Sequence, residues 1–479
     1  MAHTDPEPLD SMRMSDGPTP LANSAAQGGL ARSLGLWHAA ASNMVTMVGI
    51  GPFITIPLIV SAMGGPQAML GWVLGALIAI CDGQVWAELS TAIPGEGGSY
   101  AYLIEAYKRY VGKLVAFLFI WTFLLCGPFE IASGIVGMVN YIAYLAPHWT
   151  DVHFRLTAFG IGIVTIVLHY NRIRFVGAMT IALWVVMIIT VVGTVVAGLM
   201  HFQIANALAF PPGWLNLSWG FVFGLGSATL IAMYDLMGYY NVCYVGEEVR
   251  NPGYVFPRAI LWSVIIVSLL YALMNFVILG SLPWREIAVS RHIVTDIFQR
   301  YFGTTPAIVI SIFVAFTAYG SVYALMMSYS RLPFVAARDG FFFRGMAAVH
   351  LRRHFPHNSL LLVGAMTAVA CLFDLEFIIA ATVSSRILIQ FIGQIVGLTL
   401  LRRSRPDLHR PFRMWLYPVP SVIAFIGFAY IFISSGVSTI ALGLAWLLVG
   451  VVLYIVWARS HREWPFGSLE IPIAAGTPE

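Results

Sequence analysis

The sequence predicts an all-α membrane protein of about twelve transmembrane helices, built as a five-plus-five inverted repeat with broken helices 1 and 6 plus two extra helices. Three observations carry this. Of 479 residues, 59% are hydrophobic and 10% charged, far from ordinary soluble composition. The apolar residues lie in long blocks, and about 20 such residues make one helical crossing of the hydrocarbon. Two of these blocks, the first and the sixth, are interrupted at mid-depth.

The spans begin near residues 36, 67, 114, 155, 175, 217, 257, 304, 358, 377, 416 and 437. Trp37, Tyr144, Trp149, Trp214, Trp284, Trp415 and Trp457 fall near their ends, where rings with a polar tip settle among headgroups. Charge tests the count, because short cytoplasmic loops hold most Lys and Arg. Connections after even-numbered spans are rich in them, from Lys108, Arg109 and Lys113 to Arg402, Arg403, Arg405, Arg410 and Arg413. The opposite side holds only Arg155, Arg285, Arg291 and Arg300. Arg13, Arg32, Arg459 and Arg462 put both ends on the rich side, which requires an even number of crossings. A multi-pass protein of the cell membrane with both termini cytoplasmic is therefore expected. The net charge of +4 reflects loop topology, and nucleic acid is not an expected partner.

Residues 1–33 are rich in Pro, Ser, Gly and Asp without an apolar core, so a disordered cytoplasmic tail is expected there and no cleavable signal. The first repeat is placed at 34–202, the second at 203–404, the last two helices at 405–460 and a cytoplasmic tail at 461–479. All four cysteines, Cys81, Cys126, Cys243 and Cys371, fall inside spans without paired spacing, so neither a disulfide nor a zinc site is expected.

The first span contains Thr46-Met-Val-Gly49-Ile50-Gly51-Pro52-Phe53; two glycines weaken the helix and Pro52 lacks an amide hydrogen. The sixth contains Tyr234-Asp235-Leu-Met-Gly238-Tyr239-Tyr240, a charge and a glycine at mid-depth. Breaks in matching places of two halves point to a transporter with inverted repeats that binds near the midplane. Unpaired backbone survives at that depth only beside protein or a wet cavity. Half-helix N-termini offer N–H groups to a carboxylate and half-helix C-termini offer carbonyls to an ammonium, and an amino acid presents both charges. The alternative is that Gly49 and Gly51 only let helices pack closely.

Several segments then resemble the amino acid, polyamine and organocation superfamily. Gly49-Ile50-Gly51-Pro52-Phe53 resembles its first-helix Gly-Ser-Gly-Ile-Phe. Trp86-Ala-Glu88-Leu-Ser-Thr-Ala-Ile-Pro94-Gly-Glu-Gly97-Gly98-Ser-Tyr100-Ala-Tyr102, after the second span, is the most specific match. Glu247-Glu248-Val-Arg250-Asn-Pro252 with Phe256-Pro257-Arg258 is similar to the exit from the family's sixth helix. Ser330-Arg331-Leu-Pro333 through Arg338-Asp339-Gly340 resembles the end of the eighth, and Arg405-Pro406 through Arg413 the loop after the tenth.

The resemblance implies a secondary active transporter of amino acids that works by alternating access as a proton symporter, sodium symporter or exchanger. By it Gly49, Ile50 and Gly51 meet the substrate carboxylate, the unwound sixth helix meets the amine, and Tyr234 is an aromatic gate. Thr46, Asp235 and Gly238 complete the candidate binding set. Two departures stand out: Pro52 replaces an amide donor, as in plant polyamine transporters of this superfamily, and the fifth span has nothing ionisable near Leu183 and Trp184. Polyamine or other organic-cation transport is the nearest alternative, and a channel or transporter-like sensor the alternative of another class. An enzyme is not expected, since no cluster of His, Ser or paired carboxylates gathers at one face; nor is a cofactor or a metal.

A charge at mid-bilayer needs a reason. Asp235 suits attraction of a cationic substrate or uptake of a coupling proton, or it caps the second half of the broken helix. Glu130, after Gly127-Pro128 in the third span, is the other candidate ion-coupling site, or a partner for a hydroxyl or for Arg386. Arg386, in the tenth span, is a candidate charge partner for Asp235 or Glu130; pairing would weaken the case for a cationic substrate. Asp82 and Glu88 lie on different faces of one helix and form no carboxylate pair. Glu88, Glu247 and Glu248 are expected to be structural near the inner side, with inner gating the alternative for Glu247 and Glu248, and His350, His354 and His357 to lie in an amphipathic interfacial loop. Thr317, Ser321 and Ser328 offer oxygens to sodium or serve packing alone. The expected partners are an amino acid or amine substrate, membrane lipid, and a proton or sodium.

Overall fold

The structure is a computed structural model. It describes residues 34–466 except 95–96, 109–110, 147, 172–175, 245, 247–248, 351–354 and 462–463, and the side chains of 171–184 also lie outside the description. The expected N-terminal tail, most of the C-terminal one, and the side chains of the fifth-span positions Leu183 and Trp184 fall outside what is described.

Twelve spans follow in the expected order. Span 1 is two helices, Leu36–Met47 and Gly51–Met63, bent by 54° at a short break. Span 2 is Met69–Ala92, span 3 Gly112–Ala143, span 4 Asp151–Asn171 and span 5 Val176–Met200. Span 6 is Trp219–Leu236, followed by a break and a short 3-10 turn, Asn241–Tyr244. Spans 7 and 8 are Pro252–Ser281 and Thr304–Tyr329, and span 9 is His357–Ala370. Span 10 runs from Leu375 to Ser404 through a π-helical turn at Ile387–Ile392, and spans 11 and 12 are Val419–Ser434 and Val437–His461. Eight of these are long and apolar enough to cross a membrane, the bent pair forms a ninth, and three are shorter apolar helices.

Burial separates core from rim. Span 3 is buried over 83% of its apolar window and span 12 over only 17%, so span 3 is an axis of the fold and span 12 a lipid-facing flank. Large side chains such as Val73, Leu269 and Val452 are exposed; in water such a surface would drive association, whereas hydrocarbon is its natural solvent.

The packing has internal order. Spans 2 and 7, 3 and 8, and 4 and 9 pack as pairs. The first half of span 1 lies on span 7 as span 6 lies on span 2, and span 3 meets span 10 as span 8 meets span 5. Exchanging spans 1–5 with spans 6–10 maps the first three pairs onto themselves and interchanges the members of the other two sets.

Candidate functional site

The two breaks meet. In span 1 the first half ends with Val48 N donating to Met44 O (2.8 Å) and Gly49 N to Met47 O (3.1 Å). The second half starts at Gly51 with Pro52 in its first turn. There a missing donor costs little, because the first N–H groups of a helix have no intrahelical partner anyway. Phe53 N closes onto Ile50 O (2.9 Å). Hydroxyls from neighbouring spans hold the freed carbonyls: Tyr271 of span 7 donates to Met47 O and Tyr141 of span 3 to Phe53 O, both at 2.8 Å.

In span 6 the helix stops at Leu236, Met237 is extended and Gly238 has φ +113°. Only glycine adopts that conformation without strain, and a Cβ there would lie 3.1 Å from Thr46 Cγ2 and 3.2 Å from Met47 N. Asn43 holds the unwound stretch from the other side: its Nδ2 donates to Tyr239 O (2.5 Å) and its Oδ1 accepts from Val242 N (2.8 Å).

Asp235 therefore lies in the last turn of the first half of span 6 and does not cap a second half. It is 2% exposed. Its Oδ2 accepts from Thr55 Oγ1 (2.5 Å), while Oδ1 has no hydrogen-bond partner among the described residues and rests against Gly51, where a Cβ would collide with it.

A cavity of about 180 Å³ opens beside the breaks. Its wall includes 45–51 of span 1, Tyr234 and Asp235 of span 6, Glu130 and Gly134 of span 3, and span 8 from Thr317 to Tyr329. Of the candidate binding residues, Thr46, Gly49, Ile50, Gly51, Tyr234 and Asp235 line it, and Gly238 stands behind Thr46. The Tyr234 hydroxyl lies 2.5 Å from Ser133 Oγ, which itself donates to Glu130 O (2.6 Å); the candidate gate is thus tied to span 3. Thr317 and Ser321 donate to their own helix, at Phe313 O and Thr317 O.

Arg386 takes Glu130 as its counter-charge, not Asp235. Its Nη2 donates to Glu130 Oε2, which also accepts from the Tyr329 hydroxyl (2.8 Å), and its Nη1 donates to the Tyr240 hydroxyl (3.3 Å). The π turn begins at the next residue, an adjustment that often accompanies functional positions in helices. A buried guanidinium is tolerable because its partner is ionic and its donors are shared with two phenols.

The family described as amino acid permease matches residues 34–458. The chain belongs to this family. It is accordingly a member of the amino acid, polyamine and organocation superfamily, whose proteins are membrane transporters and not enzymes. The permease is 27% identical to the human cystine/glutamate transporter over 87% of this chain and 84% of the relative. It is 24% identical to the branched-chain amino acid permease BcaP of Bacillus subtilis (strain 168), over 92% and 96%, and 27% identical to the mouse Asc-type amino acid transporter 1, over 89% and 81%.

In the permease Asp82 and Glu88 are both fully buried and apart: Asp82 accepts from Tyr239, Glu88 from Arg402 and from Met414 N. Glu247, Glu248 and His354 lie outside the described residues, and among the described residues no group of His, Cys, Asp or Glu is placed to hold a metal ion. Around the breaks and the cavity stand further polar residues that the sequence does not single out: Asn43, Thr55, Ser133, Tyr240 and Tyr329. Asn43 and Thr55 carried a signal, being polar residues one to two turns from the Gly-X-Gly break. The phenols carried none, since Tyr is common in membrane spans.

Proposed function

We propose that this permease is a secondary active transporter that carries amino acids across the cell membrane by alternating access, proton-coupled or exchanging. The observation that carries the reading is the shared cavity at two helix breaks. Ile50 and Gly51, at the start of the second half of span 1, line it, where the first N–H groups of a helix lack intrahelical partners and suit a carboxylate, and the unwound stretch after Asp235 suits an amine through its carbonyls. Relatives named as carriers of cystine, glutamate and branched-chain amino acids agree with this class of cargo.

The Glu130–Arg386 pair favours amino acids over polyamines. With Glu130 neutralised and Asp235 held by Thr55, the wall lacks the surplus of free carboxylates that a polycation needs. Tyr234 is the gate, and Asp235 and Glu130 are the coupling residues of the cycle. Residues 34–202 and 203–404 are the two moving repeats, a division supported by contacts that exchange when the halves are swapped, and 405–460 adds two peripheral helices. The arginine-rich connections put both termini in the cytoplasm.

The test is counterflow in proteoliposomes with a panel of amino acids, each competed by its decarboxylated amine. The amines are expected to compete poorly; equal competition would make the permease an organic-cation carrier, and conduction far above carrier turnover would make it a channel. Uptake under imposed proton or sodium gradients, repeated with Asp235→Asn, assigns the coupling ion, and coupling unchanged by the substitution makes Asp235 structural.

A further inference from the structure

Asp82 of span 2 is a fully buried acid that the transport reading leaves unused. It stands outside the cavity wall, so it does not touch substrate. Its Oδ2 accepts from the Tyr239 hydroxyl at 2.5 Å, and its Oδ1 has no hydrogen-bond partner among the described residues.

Its surroundings are poor in charge. On its own helix it faces the Cys81 thiol and the Trp86 indole, and on span 6 Tyr239. Span 7 brings Ile260 and Leu261 against Gly83, and span 11 brings Gly427 against Ile78. Span 10 brings Arg402, which is committed to Glu88. Among the described residues no cation forms an ion pair with Asp82. One hydroxyl beside a thiol and apolar groups is no shell for a metal cation, which takes six or more oxygens; a proton needs none.

Tyr239 connects this acid to the moving parts. It sits in the span 6 break, and its carbonyl accepts from Asn43 of span 1. The next residue, Tyr240, stacks on Trp86 with ring centroids 4.3 Å apart and receives the Arg386 guanidinium. A shift of Tyr239 against span 2 is therefore felt by spans 1 and 10.

We propose that Asp82 is a proton-binding positioning residue that acts through Tyr239 on the span 6 break. An ionised Asp82 with one hydrogen-bonded hydroxyl, the Trp86 indole beside it and no counter-charge among the described residues is unfavourable in this largely apolar shell. Release of its proton requires span 6 to part from span 2 and admit water, and re-protonation lets them close. The proton is taken from and returned to water, and no other group changes. The inference rests on the reading of the permease as a transporter.

The test is the pH profile of counterflow for an amino acid that the wild type exchanges. Asp82→Asn, which keeps an oxygen acceptor for Tyr239 and cannot ionise, is expected to exchange with a profile that has lost one wild-type transition. Tyr239→Phe removes the hydroxyl bonded to Asp82 and is expected to shift the midpoint by about one pH unit, the scale of one hydrogen bond to a charged group. A wild-type profile in Asp82→Asn, or an unmoved midpoint in Tyr239→Phe, overturns the proposal; should Asp82→Asn fail to fold, Tyr239→Phe decides. Tryptophan fluorescence against pH in substrate-free protein reads the same site through Trp86. A transition that Asp82→Asn abolishes supports the proposal, and identical curves overturn it. A wild type that moves no amino acid fails the transport reading instead, and the fluorescence still decides this one.

Discussion

The Thr55 hydroxyl donates to Asp235 Oδ2 over 2.5 Å, one side-chain hydrogen bond that joins the second half of span 1 to the first half of span 6. It is the sole hydrogen-bond donor to this carboxyl among the described residues. Thr55→Val keeps the shape and deletes the donor, leaving a buried acid unsatisfied, a change that costs about 1–3 kcal/mol. A lower thermal unfolding temperature in detergent is expected for Thr55→Val and near wild-type stability for Thr55→Ser. Equal melting of all three would show that the bond contributes nothing.

The two glycines of the first break differ in what faces them. A Cβ at Gly51 meets the Asp235 carboxylate, which Thr55 and the tight packing hold in place, whereas a Cβ at Gly49 meets Ser321 Oγ at 3.3 Å, a rotatable hydroxyl that moves aside. Gly51→Ala is therefore expected to abolish counterflow in protein that still elutes as a single folded species, and Gly49→Ala to keep a measurable rate. The order of the two rates checks the assignment.

Much of this architecture is legible in the chain. Every span starts within a few residues of its expected place, because a run of about 20 apolar residues leaves few alternatives in a bilayer. Both breaks were visible, at Gly49 to Pro52 and around Asp235, since glycine, proline and charge are costly inside an apolar helix. What could not be read is which side chains meet. Arg386 had two acidic candidates on different spans, and its choice of Glu130 depends on how spans 3 and 10 pack across 256 residues of sequence. Thr55 and Asn43 take their weight from partners on span 6, Asp235 and the Tyr239 carbonyl, that only the packing brings to them.

The Glu130–Arg386 pair makes a selectivity prediction. Arg386 is buried and Glu130 only partly exposed, at 5% and 16%, and removing one member of a buried pair typically costs about 3–5 kcal/mol because the other charge is stranded. Arg386→Gln leaves Glu130 uncompensated in the cavity wall, which should draw in cations. The expected result is stronger competition by decarboxylated amines relative to their amino acids, while Glu130→Gln shifts competition the other way. Joint substitution of both residues should restore part of the lost stability, as measured by thermal unfolding.

Two ion pairs near the end of span 10 differ by an order of magnitude in expected worth. The Glu88 carboxylate is fully buried and receives Arg402 Nε at 2.8 Å, Arg402 Nη2 at 2.5 Å and Met414 N at 2.8 Å, with Arg410 Nε at 3.6 Å. It thus fastens the loop between spans 10 and 11 to span 2. The Glu105–Arg405 pair is also within hydrogen-bond distance, at 3.0 Å, but its side chains are 28% and 39% exposed, and exposed pairs contribute about 0–1 kcal/mol. Glu88→Gln leaves two guanidinium groups facing a neutral amide in a closed site, so a loss of about 3–5 kcal/mol is expected, seen as low yield or a large fall in unfolding temperature. Glu105→Gln should be nearly silent in the same assay. If both variants melt alike, burial at Glu88 does not govern the strength of its bonds, and the loop is held by the apolar contacts of Phe412 and Tyr417 instead.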